Sequence, residues 1–297
     1  MTRIFALLAA LAVATTAAAQ EGTLKKIKDS GAITIGHRDA SVPFSYYDDK
    51  QQPVGYAMDL CARIVEAVKT ELKMQKIETK YQLVTSANRI PLMANGTIDL
   101  ECGSTTNNLA RQEQVWFATT HFVTANRFVS KKSAKIGKLA DLKGKTIVST
   151  AGTTNIKQIT ELNGEQKLGM NIISANGHAE AFQMVETGRA VAFVMDDILL
   201  YSLVAQSRSP KDYDISKEAL SVEPYGIMLR KDDAAFKKTV NGAINALYKS
   251  GEINKIYDKW FLKPIPPKNI NLNVPMSAPF KKVVANPTDS GDPAAYK

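Results

Sequence analysis

The sequence predicts an α/β protein in two lobes, each a mostly parallel sheet flanked by helices. Three observations carry that expectation. Apolar, β-branched runs alternate with segments of helical periodicity along most of the 297 residues, the pattern of βαβ units. A chain of this length exceeds one small domain and suits two. One unit also occurs twice: a short helix stopped by glycine, then a strand, then a polar loop. It begins at Arg89 and again at Ala181, with Gly96 and Gly188 at the stops. Such units recur throughout α/β proteins, so the weight rests on finding one in each half.

The chain opens Met1-Thr2-Arg3, runs apolar and Ala-rich to about residue 14, and reaches Ala17-Ala18-Ala19 before Gln20. A basic start, a short apolar run and small residues predict a secretory signal peptide over residues 1–19. The run is too short to span a bilayer, and no cysteine follows the cleavage site, which argues against a lipid anchor. Residues 24–30 read as a helix ended by Gly31, and 32–36 as a strand. The polar loop after that strand carries Arg38. Leu60, Ile64, Val65 and Val68 follow helical spacing. Residues 77–84 read as a strand, and 85–89 open the next helix.

Residues 97–102 form a strand pattern that ends at Cys102. Gly103, Ser104, Thr105 and Thr106 follow, and Arg111 comes a few residues on. Backbone N–H groups and hydroxyls followed by a guanidinium suit a carboxylate. An ordinary strand-to-helix turn capped by Ser and Thr has the same composition. Residues 122–131 and 222–229 are extended runs able to cross between lobes. Strand 146–149 leads to Gly152, Thr153 and Thr154, again glycine and hydroxyls before a helix. Residues 171–174 are a strand, Gly177-His178 a loop, and 190–195 a strand ending in Asp196-Asp197. Residues 232–261 are helical and broken at Gly251. The tail beyond Pro264-Ile265-Pro266-Pro267, rich in Pro, Asn, Ser and Asp, is expected on the surface or partly disordered.

A hydrophobic content of 44% is globular, and a net charge of +9 favours acidic partners. The Lys and Arg residues are scattered, with no basic-aromatic stripe, so nucleic acid is not expected. Cys61 lies in a helical pattern and Cys102 in a strand pattern. That fits two buried thiols, while an exported compartment also permits a bridge. Two cysteines and three histidines (His37, His121 and His178) show no metal-ligand spacing. Neither metal nor cofactor is expected.

Ligands of such sheets bind beyond the carboxyl ends of strands. Arg38, Ser86, Arg89, the loop from Gly103 to Arg111, Thr154, His178 and Asp196 all sit at such ends, from both halves of the chain. Arg38, Arg89 and Arg111 are cationic, His178 can be, and Asp196 is one anion. A ligand with two carboxylates and one ammonium matches, and an acidic amino acid is the natural choice. Taken singly, each arginine also fits a solvated surface residue, and Asp196 a helix N-cap.

The stretches GHRDASVPFSYYD, TSANRIPLMANGTIDLECGSTTNNLARQ, STAGTT, GRAVAFVMDD and PIPPKN resemble the glutamate/aspartate-binding members of the periplasmic solute-binding proteins (family 3) of bacterial ABC importers. The resemblance runs from about Leu24 to Leu272, and Cys61 falls outside the matching stretches. It implies the type II periplasmic-binding-protein fold with two crossover strands as hinge. Lobe 1 would be residues 20–124 and 224–272, lobe 2 residues 125–223, and 273–297 a C-terminal tail. It implies that Arg111, with Thr106 and Thr154, holds a ligand α-carboxylate. Asp196, with Ser104 or the Gly103 carbonyl, would take the α-ammonium. Relatives that bind basic amino acids carry an acidic residue where this chain has Arg38. The reversed charge, with Ser86, Arg89 and His178, would select a side-chain carboxylate. The implied partners are glutamate or aspartate and an ABC transporter membrane permease, with the protein acting as a monomer. Two other readings stand beside this one. The first is a periplasmic enzyme on the same fold, such as a dehydratase of a small carboxylic acid, with His178 and Asp196 as the available acid and base. The second is a ligand sensor that docks to a signalling receptor.

Overall fold

The computed structural model describes residues 22–297; the expected signal segment lies outside the described residues. Helix α1 (Thr23–Ser30) stops at Gly31, whose φ of 70° is the left-handed conformation that glycine adopts without penalty. Strand β1 (Ala32–His37) follows, then a small antiparallel sheet of β2 (Ala40–Ser41), β3 (Ser45–Tyr47) and β4 (Pro53–Val54). In α2 (Tyr56–Glu71) the periodic residues Leu60, Ile64, Val65 and Val68 are all buried. The first half ends with β5 (Glu78–Leu83), α3 (Arg89–Ala94), β6 (Leu100–Glu101), α4 (Leu109–Gln112) and β7 (Val115–Phe117). Strand β8 (Phe122–Lys131) leads out to β9 (Thr146–Thr150), α5 (Thr154–Glu165), β10 (Asn171–Ala175), α6 (His178–Glu186), β11 (Ala192–Asp196), α7 (Asp197–Gln206) and β12 (Tyr213–Ile215). Strand β13 (Ser221–Tyr225) returns to β14 (Met228–Arg230), α8 (Ala234–Ser250) and α9 (Glu252–Tyr257), and α10 (Ala278–Ala285) lies near the C-terminus. Among the described residues no helix is long and apolar enough to cross a membrane.

One main sheet has the order β5-β1-β6-β14-β7 and the other β10-β9-β11-β8-β12, with β13 on β8. Strands β5, β1 and β6 are parallel, as are β10, β9 and β11. Strand β14 runs antiparallel to β6 and β7, and β8 antiparallel to β11, β12 and β13. Both sheets are therefore mixed, where mostly parallel ones were expected. The cause is the crossing itself. Strands that leave one lobe or return to the other run against the βαβ units they join.

The two crossing strands form one antiparallel ribbon, from Ser221 opposite Asn126 to Tyr225 opposite Phe122. These are the extended runs singled out in the sequence. Aromatic rings seat the near end of the ribbon on the first lobe. Phe122 lies 5.0 Å from Phe44 and 5.1 Å from Phe261, and Tyr225 lies 5.1 Å from Phe44. Each such ring pair adds about 0.5–1.5 kcal/mol beyond its buried area.

One expectation needs correction, and one open question is answered. The tail is packed: Phe280, Val283 and Tyr296 are buried. The Thr120 backbone N–H donates to the Thr288 carbonyl at 2.8 Å, and the Asn107 side chain to the Asp289 carbonyl at 2.9 Å. A polar average over the tail hides three apolar anchors. Cys61 and Cys102, for which both free thiols and a bridge stood open, form a disulfide with a Cα–Cα distance of 6.3 Å and a sequence separation of 41. Periodicity placed each cysteine on its own element but carried nothing about which elements touch. The bridge ties α2 to the start of the 103–111 loop. Closing a loop of this size restricts the unfolded chain, so Cys61→Ala with Cys102→Ala should lower the unfolding free energy by about 2–4 kcal/mol. Denaturant titration of the double variant against the oxidised parent measures it.

Candidate functional site

The segments that follow β5, β6, β9, β10 and β11 converge between the two sheets around a small cavity, with about 10 Å³ of room for the centre of a water-sized sphere. Ser86, Arg89, Ser104, Thr106, Thr154, His178 and Asp196 line it, together with Thr153, Asn155, Met195 and Leu199. Arg38, Gly103 and Arg111, also named from sequence, stand outside this wall and support it. None of the three arginines is a solvated surface residue: Arg38 is 2% exposed, Arg89 3% and Arg111 8%.

Arg38 follows β1. Its backbone N–H donates to Ser45 Oγ at 2.8 Å. Its Nε and Nη1 have no hydrogen-bond partner among the described residues, and nor do Arg89 Nε and Ser86 Oγ. Burial, with Arg89 adding to it, pushes the Arg38 guanidinium down to about 10. Arg89 opens α3 and donates from Nη1 to Thr105 Oγ1 at 2.5 Å. Burial lowers its pKa, while Glu101 works the other way. Arg111 lies in the short helix α4, whose N-cap Asn108 accepts from the Arg111 backbone N–H at 2.9 Å. Its guanidinium donates to the Thr106 carbonyl at 2.8 Å and, across the cleft, to the Gly152 carbonyl at 3.2 Å. Burial and Arg89 together lower it to about 9.

His178 is the first residue of α6 rather than part of a loop. Its Nδ1 lies 2.9 Å from Thr150 Oγ1. Burial, then Arg38 and Arg89, push its pKa well below 6.5. The ring is therefore neutral at pH 7, and the charge that composition allowed it is absent. Asp196 does occupy the N-cap position of α7, yet its side chain makes no cap bond. It accepts instead from Asn155 Nδ2 at 2.7 Å and from the Tyr225 hydroxyl. Burial and then Glu223 raise it to about 7, against those two hydrogen bonds. Thr154 donates from its hydroxyl to Glu223 Oε2 at 2.9 Å.

Gly103 has a steric role. A methyl group there would sit 2.3 Å from Glu101 Oε1 and 3.2 Å from Arg38 Cγ, so only glycine lets both side chains approach. Sequence reasoning missed Glu101, Glu223, Tyr225 and Asn155. A charged residue between Leu100 and Cys102, inside an apolar strand, was the available signal for Glu101. Glu223 and Tyr225 stood in a run read only for its extended shape. The charge count accordingly changes: three buried arginines face three buried carboxylates, Glu101, Asp196 and Glu223.

The L-glutamate/L-aspartate-binding protein of Pseudomonas aeruginosa is 56% identical over 269 residues, covering 90% of this chain and 89% of that protein. The glutamate/aspartate import solute-binding protein of Escherichia coli is 49% identical over 285 residues, covering 96% and 94%. Among solved structures, an ancestral arginine-binding protein bound to arginine is similar with a TM-score of 0.70 at 28% identity, covering 78% of this chain and 98% of that one. The solute receptor for L-cysteine of Neisseria gonorrhoeae has a TM-score of 0.70 at 25% identity, with 80% and 93% covered. Both likenesses agree with a two-lobed periplasmic-binding-protein fold. Residues 33–263, which include both main sheets and both crossing strands, match a single family description, and the chain belongs to the bacterial extracellular solute-binding proteins, family 3.

Proposed function

We propose that this chain captures an acidic L-amino acid, glutamate or aspartate, in the periplasm and hands it to the membrane permease of an ABC importer, without catalysing a reaction. Residues 1–19 serve as its signal peptide. Residues 20–124 with 224–272 form one lobe, and residues 125–223 the other. The observation that carries the reading is the polarity of the cleft. Ser86 and Arg89, each with a buried donor that lacks a partner, line the cavity together with Asp196, and the buried Arg38, with two more such donors, stands just outside its wall. The ligand class in the names of the P. aeruginosa and E. coli relatives supports it.

Arg111 and Thr106 take the α-carboxylate. Thr154 contributes the backbone N–H at the start of α5, since the first N–H groups of a helix have no intrahelical partner and favour an anion. Its hydroxyl stays on Glu223. Asp196, with Ser104 and the Gly103 carbonyl, takes the ammonium. Arg38, Arg89, Ser86 and His178 hold the side-chain carboxylate. The tautomer in which His178 Nδ1 accepts from Thr150 places the ring proton on Nε2, where it donates to the ligand. His178 and Asp196, the acid–base candidates of an enzymatic reading, are both committed to binding. The ligand touches both lobes only when they meet, so it shifts the open–closed balance by that difference in affinity.

Three expectations follow from these roles. Arg111→Ala and Asp196→Ala each weaken binding of every amino acid by about a hundredfold or more, since each removes charge-assisted bonds to a buried ion. Arg38→Ala removes chiefly the preference for acidic side chains. Calorimetry with glutamate, aspartate and glutamine separates the two patterns, and an intact acidic preference in Arg38→Ala would overturn the pocket assignment.

The ammonium pairs with ionised Asp196. Its pKa near 7 means that below neutrality a proton must leave as the ligand binds. Affinity therefore falls as pH falls, approaching about tenfold per pH unit well below 7. Titrations at two pH values, in buffers of different ionisation enthalpy, count the released proton. An affinity that does not change between them would contradict the role of Asp196.

Closure also depends on Gly152, with φ of 73°. A methyl group there would lie 2.5 Å from Ala87 Cα and 2.7 Å from the Ser86 carbonyl oxygen, on the opposing lobe. Gly152→Ala should weaken glutamate binding by about tenfold or more by opposing the closed state. Small-angle scattering should then show less ligand-induced compaction, with the circular dichroism spectrum unchanged.

A further inference from the structure

We propose that Glu101 sets the charge of the side-chain half of the cleft, so that this half accepts a monoanionic carboxylate and rejects a dianion. The inference rests on the proposed reading that Arg38 and Arg89 meet the ligand side chain, and it names the residue that tunes them.

Glu101 ends β6 in the middle of the first sheet, in register with Gly36 of β1 and Met228 of β14. Its side chain is fully buried. A carboxylate there is tolerated only if cations compensate it. Arg89 does so twice. Its Nη1 lies 3.9 Å from Glu101 Oε1. The same Nη1 donates to Thr105 Oγ1, which in turn donates to Glu101 Oε2, each at 2.5 Å. Arg38 approaches from the other side, where its Cγ and Glu101 Oε1 both crowd the space left by Gly103. Glu101 is absent from the cavity wall, whereas Arg89 lines it. Glu101 is therefore a positioning and specificity residue that acts through its neighbours.

The count of charge follows. Arg38 and Arg89 contribute two positive charges, Glu101 removes one, and His178 is neutral. Asp196 and Glu223 lie with Arg111 at the backbone end of the ligand. Asp39, beside Arg38, is exposed and screened by water, so the buried side-chain half holds a single net positive charge. One carboxylate brings it to neutrality. A dianion would leave a buried, uncompensated negative charge, which is strongly unfavourable. Without Glu101 the balance inverts, because two bare guanidiniums match a dianion better than a monoanion.

Glu101→Gln keeps the shape and a partner for the Thr105 hydroxyl but removes the charge. L-glutamate and O-phospho-L-serine are the probes. The phosphate has a second pKa of about 6, so it is mostly a monoanion near pH 5 and mostly a dianion near pH 7.5. The readout is the phosphoserine-to-glutamate affinity ratio by calorimetry, in which the pH dependence at Asp196 is common to both ligands and cancels. In the parent protein the ratio falls as pH rises through the phosphate ionisation. In Glu101→Gln it rises, reaching about tenfold or more above the parent near pH 7.5. A ratio that follows the same pH profile in both proteins, with any affinity loss shared equally by the two ligands, would make Glu101 merely structural and overturn the inference. If Glu101→Gln does not fold, the parent alone still tests the count: a phosphoserine-to-glutamate ratio that does not fall as pH rises through the phosphate ionisation overturns the inference. Failure of the parent to bind glutamate would instead remove the reading beneath it.

Discussion

Three guanidinium groups buried around one small cavity are the constraint that the rest of the molecule has to meet. Each loses most of its hydration, and Arg89 further depresses both Arg38 and Arg111. Like charges at close range in a poorly polarisable interior repel far more than they would in water. The arrangement persists because the strand ends bring buried carboxylates with them. Glu101 arrives on β6, Asp196 on β11 and Glu223 on β13, so every arginine finds opposite charge without solvent.

The crossing strands enter this balance directly. Glu223 and Tyr225 lie two residues apart on β13 and so share one face. Glu223 accepts from Thr154 at the start of α5, and Tyr225 donates to Asp196 at the end of β11. The hinge ribbon thereby holds two groups of the second lobe, while its own near end is packed into the ring cluster of Phe44, Phe122 and Phe261. On the first lobe the Cys61–Cys102 bridge fixes the point from which the Gly103–Arg111 loop departs. The rigid parts of the site thus lie in β-structure and a cross-link, and the cleft opens between them.

What could be read from the chain alone follows the range of each signal. Periodicity and glycine stops are local, and they placed α1, α2, the repeated helix–strand units and both crossing strands. Chemistry at strand ends is local too. It singled out Arg38, Arg89, Arg111, His178 and Asp196, all of them buried near the cleft. Partnerships across the chain were not legible. Nothing in a single sequence says that residue 61 faces residue 102, or that Tyr225 reaches Asp196. The compensating carboxylates were overlooked for the same reason. A Glu in an apolar strand acquires meaning only when an arginine from another loop lies over it. The tail was misjudged because composition was averaged where three apolar side chains decided.

The balance of buried charge also explains why recognition should be tied to closure. With the lobes apart, water screens each arginine and carboxylate, and a ligand of the wrong charge suffers little penalty. As Gly152 comes against Ala87 and Arg111 reaches the Gly152 carbonyl, water leaves and the effective dielectric falls. Each uncompensated charge then costs much more than before. At the side-chain end one carboxylate neutralises the single positive charge that Arg38, Arg89 and Glu101 leave, and a second negative charge there opposes closure. Selection by charge and the meeting of the lobes are in this way the same electrostatic event.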